Sequence, residues 1–143
     1  MQSIIIGSDH AGFTLKDAIK KKFLENFEFS DKGTFSSDSV DYPDYAHAVA
    51  GEVDAGKFTF GILLCGSANG VAITANRHNG VRAAICWMPE IAELARKHNN
   101  ANIICIPARF VSEETAFLMI EKFISTDFEG GRHQKRIDKI NCV

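Results

Sequence analysis

The chain has 143 residues, 45% of them hydrophobic, and no interior Pro/Ser/Gly-rich linker or charge block divides it, so one core and a single domain over residues 1–143 are expected. A formal net charge of −2 argues against a general nucleic-acid or membrane-surface role, because both need a basic footprint. Cys65, Cys86, Cys105 and Cys142 lie far apart with no Cys-x-x-Cys pair, which suggests neither a zinc knuckle nor a dithiol redox motif.

The first residues, Met1 to Gly7, carry no basic leader, and their apolar run is too short for a signal peptide or a membrane span, so a cytoplasmic setting is expected. Ile4, Ile5 and Ile6 read as a first buried strand, ended by the loop Ser8-Asp9-His10-Ala11-Gly12. A helix follows from Phe13, with Leu15, Ala18, Ile19 and Phe23 at helical spacing and Lys16, Lys20, Lys21 and Lys22 on what reads as a solvated face. Residues 27–33 alternate apolar and polar as a half-buried strand would. After a polar loop, Pro43 suits a first helical turn, and Tyr45, Ala46, Val49, Ala50 and Val53 form one stripe.

The apolar run from Phe60 breaks at Cys65 into Gly66-Ser67-Ala68-Asn69-Gly70 before helix-compatible sequence resumes: strand, loop, helix. Residues 81–87 supply a fourth strand, Pro89 opens a helix that ends near His98-Asn99-Asn100, and Ile103 to Ile106 form a fifth strand. Ser112 reads as the N-cap of a helix carrying Ala116, Phe117, Ile120, Phe123 and Ile124. Cys86 and Cys105 sit in apolar runs as small buried hydrophobes. From residue 128 a Gly130-Gly131 hinge leads into a short tail helix whose apolar stripe needs a partner surface, on its own domain or on a second subunit.

Five apolar strands alternating with helices argue for an α/β fold: a Rossmann-like three-layer sandwich around a parallel sheet, with a C-terminal helical extension. Sites in such sheets lie outside the carboxyl ends of the strands, where Asp9, His10, Cys65 with its loop, Trp87, Met88 and Arg109 fall.

Asp9-His10 alone is no more than a polar loop. Cys65 carries more, since a thiol followed by a small-residue loop at a helix start can stand beside a bound anion as nucleophile or base. A phosphate-cradling Walker loop needs Gly-Lys-Ser/Thr, and here Gly70 is followed by Val71 and Ala72. His98 can meet the last carbonyls of its helix as readily as serve in catalysis. Arg132 and Arg136, four apart on one helix face, suit a dianionic phosphate as well as they suit solvent. His47 and His78 read as surface residues.

Together, residues 7–12, Asp41-Tyr42-Pro43, Cys65-Gly66-Ser67, residues 98–102 and residues 129–134 resemble the ribose-5-phosphate isomerase B family, which also holds galactose-6-phosphate and allose-6-phosphate isomerases. The resemblance spans nearly the whole chain. It implies aldose–ketose isomerisation through a cis-enediolate, without metal or other cofactor, in a Rossmann-like homodimer that builds each site from two subunits, a tetramer being the next larger assembly. It implies Cys65 as the base, residues Gly66, Ser67, Ala68, Asn69 and Gly70 as the anion hole, and His98 as the acid that helps open the sugar ring, with Ser67 nearby. Asp9 and Asn99 match sugar-hydroxyl contacts, Tyr42 a wall of the sugar pocket, and His10, Arg109, Arg132 and Arg136 phosphate or substrate contacts. The tail is expected at the dimer interface.

Many members carry glycine where this chain has Ala68 and a bulky apolar residue where it has Asn69. If position 68 takes a positive φ, alanine costs about 1 kcal/mol there. The expected activity is interconversion of ribose 5-phosphate and ribulose 5-phosphate, with a phosphohexose isomerase and a non-catalytic sugar-phosphate-binding module as the alternatives. Metal-dependent chemistry is disfavoured by the lack of clustered ligands in the sequence.

Overall fold

The computed structural model describes residues 1–142. In chain order the elements are β1 (Gln2–Ser8), a 3-10 turn (His10–Gly12), α1 (Phe13–Lys22), β2 (Phe27–Asp31), α2 (Tyr42–Asp54), β3 (Gly61–Cys65) and α3 (Asn69–Ala75). Then follow β4 (Ala83–Ile85), α4 (Pro89–Asn99), β5 (Ile103–Pro107), α5 (Glu113–Ser125) and α6 (Arg132–Asp138). The strands form one parallel sheet in the order β2-β1-β3-β5-β4.

Strand periodicity sends alternate side chains to opposite faces, and this divides the core in two. Ile4, Ile6, Ile62, Leu64, Ile104 and Ile106 pack with residues of α1, α4 and α5. Ile5, Leu63, Cys65, Ile103 and Cys105 pack with Val49, Val53, Val71 and Ala75 from α2 and α3. The expected three layers are present. The central strands β3 and β5 are buried along their whole length, as a sheet covered on both faces requires.

Two strands are shorter than the sequence suggests. Among the described residues β4 pairs with β5 alone, and its ladder covers Ala83 to Ile85 rather than residues 81–87. β2 stops at Asp31, yet Lys32 N–H donates to Ile6 O and Ser8 N–H to Gly33 O, so pairing with β1 continues past it. Ser112 caps α5 as expected, accepting from Thr115 N–H. Among the described residues no helix is long and apolar enough to cross a membrane.

The solvated lysine face needs one correction. Lys16 is fully buried, and its ammonium donates to Asp31 Oδ1 at 2.6 Å and to the Thr34 carbonyl. α1 lies against the end of β2, so the lysine one turn into the helix meets Asp31, whose other oxygen takes Lys20 at 2.8 Å. Burial pushes the Asp31 carboxyl up, but hydrogen bonds from Lys16, Lys20 and Gly33 N–H outweigh it and hold the group below its ordinary value.

Asp31→Asn strands a buried ammonium and is expected to cost about 3–5 kcal/mol in urea unfolding, more than Lys16→Met, which removes the charge and keeps the stem. Because the folded Asp31 titrates below its ordinary 3.8, its contribution is present above that pH and disappears as pH falls through the folded value. Stability of the wild type measured on acidification should therefore fall below about pH 4 more steeply than that of Asp31→Asn.

Candidate active site

The carboxyl ends of β1, β3 and β5 stand side by side, with Ser8 opposite Leu64 and Cys65 opposite Pro107. The chain leaves β1 toward β2 on one flank and β3 toward the edge strand β4 on the other, so the loops after β1 and β3 diverge and open a crevice. A cleft of about 440 Å³ there is lined by Asp9, Tyr42, Cys65, Gly66, Ser67, Gly70, Arg109 and Phe110.

Asp9 is nearly buried, and its Oδ1 accepts from Ala11 N–H at 2.9 Å and Gly12 N–H at 3.2 Å, so the first loop holds the carboxylate in place. That loop sits close on β3: a Cβ at Gly12 would stand 2.7 Å from Leu64 Cβ. His10 is outside the cleft lining. Its Nδ1 accepts Val40 N–H at 3.2 Å, which ties down the loop before α2 and, in the neutral ring, leaves the proton on Nε2.

Cys65 ends β3 and is 5% exposed as a residue, and its carbonyl accepts Ala108 N–H. Arg109 lies across Gly66, donating its N–H to Gly66 O, and a Cβ at Gly66 would come within 2.9 Å of Arg109 Nη1. Tyr42 lies over Gly70 more closely still, since a Cβ there would stand 2.4 Å from Tyr42 Cε1. Both glycines are thus cleared for a neighbouring side chain. Ser67 Oγ accepts Asn69 N–H at 3.3 Å, and buried Ala68 takes φ 67°, the left-handed conformation for which glycine is suited. Trp87 and Met88 follow edge strand β4 and do not line this cleft; Phe110, absent from the sequence expectations, does.

The remaining candidates lie elsewhere. Because β4 and β5 are parallel, α4 must run back along the sheet, and its last residues, His98 and Asn99, emerge at the amino ends of the strands. Within one chain His98 is therefore at the opposite end of the sheet from Ser67 and Cys65. It lines a second cleft, about 420 Å³, with Asn99, Arg132, His133, Arg136, Ile137 and Ile140. Arg132 and Arg136 do share that cleft, as their spacing suggests. Among the described residues no arginine has a carboxylate within 4.0 Å; the ion pairs are made by lysines and histidines.

Two features of this end were not foreseen. Arg96, buried, donates to Ala101 O, Asn100 Oδ1 and Thr126 O, fixing the end of α4 against the segment after α5. His98, Glu129 and His133 also bring their ligand-type atoms within 4.8 Å of one another, a cluster hidden in the sequence because residues 98 and 129 are far apart. The two imidazoles are stacked 4.4 Å apart and only 17° from parallel, so their in-plane lone pairs do not converge on one point. With Arg132 and Arg136 beside them, this arrangement suits an anion better than a divalent cation. Burial and the neighbouring His98 and Arg132 hold His133 below the usual imidazole value, so it is neutral near pH 7.

Residues 4–140 match the family model described as ribose/galactose isomerase. The chain belongs to that family. It is 41% identical to ribose-5-phosphate isomerase B of Escherichia coli, over 100% of this chain and 97% of that protein. The fold is that of a Thermotoga maritima ribose 5-phosphate isomerase, with a TM-score of 0.97, 50% identity and 99% coverage of both chains. A Mycoplasma genitalium ribose-5-phosphate isomerase B solved with bound ribulose-5-phosphate gives a TM-score of 0.92 at 42% identity, covering 96% of this chain and 93% of that one.

The φ of 67° at Ala68 generates a measurement. Ala68→Gly removes left-handed strain of about 1–2 kcal/mol and gives back part of it as unfolded-state entropy, so a net gain of about 0.5–1 kcal/mol is expected in denaturant unfolding.

Proposed function

We propose that this protein is a cytoplasmic aldose–ketose isomerase interconverting ribose 5-phosphate and ribulose 5-phosphate, with Cys65 as the base. The observation that carries the reading is the cleft at the ends of β1, β3 and β5, where a thiol, a fixed carboxylate and a guanidinium face one small volume in a member of this family. The four unpaired cysteines fit a reducing compartment.

In the open aldose the Cys65 thiolate removes the C2 proton. The C–H electron pair forms the C1–C2 double bond, and the carbonyl pair moves onto O1. The loop of residues 66–70 supplies the anion hole for this developing charge, with its Gly66, Ser67 and Gly70 lining the cleft, since donors fixed in advance lower the barrier most. Return of the proton to C1, with transfer of the O2 proton to O1, completes the ketose. Asp9 holds a sugar hydroxyl, Tyr42 forms a wall, and Arg109 and His10 contribute contacts to substrate or phosphate.

His98 as ring-opening acid, Asn99 as a hydroxyl contact and Arg132 and Arg136 as the phosphate grip belong to the same reaction only if a second copy supplies them. Their place at the far end of the sheet supports a homodimer with sites shared between chains. The tail from residue 128, part of one domain with the rest of the chain, then lies at the interface.

Cys65→Ala is expected to abolish exchange of the C2 proton with solvent while ribose 5-phosphate still binds; full exchange by this variant would remove Cys65 from the mechanism. Six-carbon aldose phosphates run beside ribose 5-phosphate test the sugar assignment, and faster turnover of a hexose would reassign it. Sharing of sites is tested by mixing two inactive chains, Cys65→Ala and His98→Ala. Random reassortment of dimers leaves one intact site in each mixed pair and should restore roughly a quarter of wild-type activity.

A further inference from the structure

His98 ends a helix with its side chain 41% exposed, and such a ring, left to itself, would not keep one orientation. Here it is held on two sides. The His133 ring stacks on it at 4.4 Å and 17°. One Glu129 carboxylate faces both imidazoles, with Oε1 at 4.0 Å from His98 Nε2 and Oε2 at 3.7 Å from His133 Nε2. His133 is only 7% exposed, and among the described residues its buried Nε2 has no hydrogen-bond partner.

The backbone is arranged to hold this group. Glu129 N–H donates to Lys97 O at 3.1 Å, which ties the carboxylate-bearing segment to the residue before His98. Gly130 and Gly131, at φ 70° and 57°, then turn the chain abruptly into α6, where His133 N–H donates to Gly130 O. Side chains with a Cβ would be strained at both glycines, so the turn that delivers His133 to His98 depends on them.

We propose that Glu129 and His133 are positioning residues that fix the ring plane of His98 for opening of the cyclic sugar. This rests on the reading of His98 as the ring-opening acid. In that step the bond between C1 and the ring oxygen breaks with its electron pair going to the oxygen, which takes the proton from His98. The anomeric hydroxyl loses its proton to solvent as C1 becomes a carbonyl, and a solvent proton restores His98. The flat, neutral His133 fixes the plane of His98, and the Glu129 carboxylate aligns and stabilises the ring while it carries its proton.

The two substrates separate this role from a merely structural one. Ribose 5-phosphate is a cyclic hemiacetal, whereas ribulose 5-phosphate carries its phosphate on the hydroxyl that would close a five-membered ring and so stays open. Exchange of the ribulose 5-phosphate C1 proton with solvent needs the base and no ring opening.

In the full-length protein, Glu129→Gln and His133→Ala are expected to slow turnover of ribose 5-phosphate by roughly tenfold, while that exchange stays within about twofold of wild type. His133→Phe keeps the stack and should recover most of the turnover. Equal loss in both readouts, or loss in neither, overturns the proposal, and a Phe variant no better than the Ala variant overturns its stacking half. Glu129 is half-exposed, so its substitution tests the idea even if His133→Ala fails to fold. Wild-type protein that exchanges no ribulose 5-phosphate proton would instead sink the isomerase reading, which is a separate failure.

Discussion

A parallel sheet obliges the chain to travel back along its own length after every strand, and that return decides where each side chain of this protein can act. Residues following a strand gather at one end, among them Asp9, Cys65 and Arg109. Residues closing a helix gather at the other, and His98 and Asn99 are such residues. The strand order β2-β1-β3-β5-β4 then concentrates the first set at the switch between β1 and β3 and leaves Trp87 on the edge. The division of the chemistry into two clefts is thus a property of the topology before it is a property of any residue.

Within the first cleft, side-chain placement depends on backbone left bare. Gly66 admits the Arg109 guanidinium and Gly70 admits the Tyr42 ring, both at distances no Cβ permits. Gly12 does the same for the turn that carries Asp9. By carrying no side chain, these glycines let Leu64, Arg109 and Tyr42 pack directly on the loops that border the cleft. Ala68 is the exception in kind, keeping its Cβ in a left-handed conformation and bearing the strain at the start of α3.

Much of this was legible in the sequence because it is local. Apolar runs and capping residues gave the order of strands and helices, and the breaks after Ile6 and Phe60–Cys65 gave the loops of the first cleft. What depends on distant contacts was not legible. Lys16 looks like its neighbours Lys20 to Lys22 until Asp31, fifteen residues on, is brought beneath it. The cluster of His98 with Glu129 and His133 crosses some thirty residues, although the motif that contains the latter two was plain. Membership of a family named the parts of a site; only the fold told which of them a single chain can bring together.

The unpaired arginines have a consequence for assembly. Arg109 stands in one cleft and Arg132 and Arg136 in the other, and none has a carboxylate of its own chain, among the described residues, to neutralise it. In the proposed dimer, with the two clefts brought together, these like charges would oppose closure until a phosphate dianion settled between them. Substrate and quaternary structure are then thermodynamically linked. Whatever affinity the phosphate adds to the pairing of chains, the pairing adds in equal measure to the affinity for phosphate.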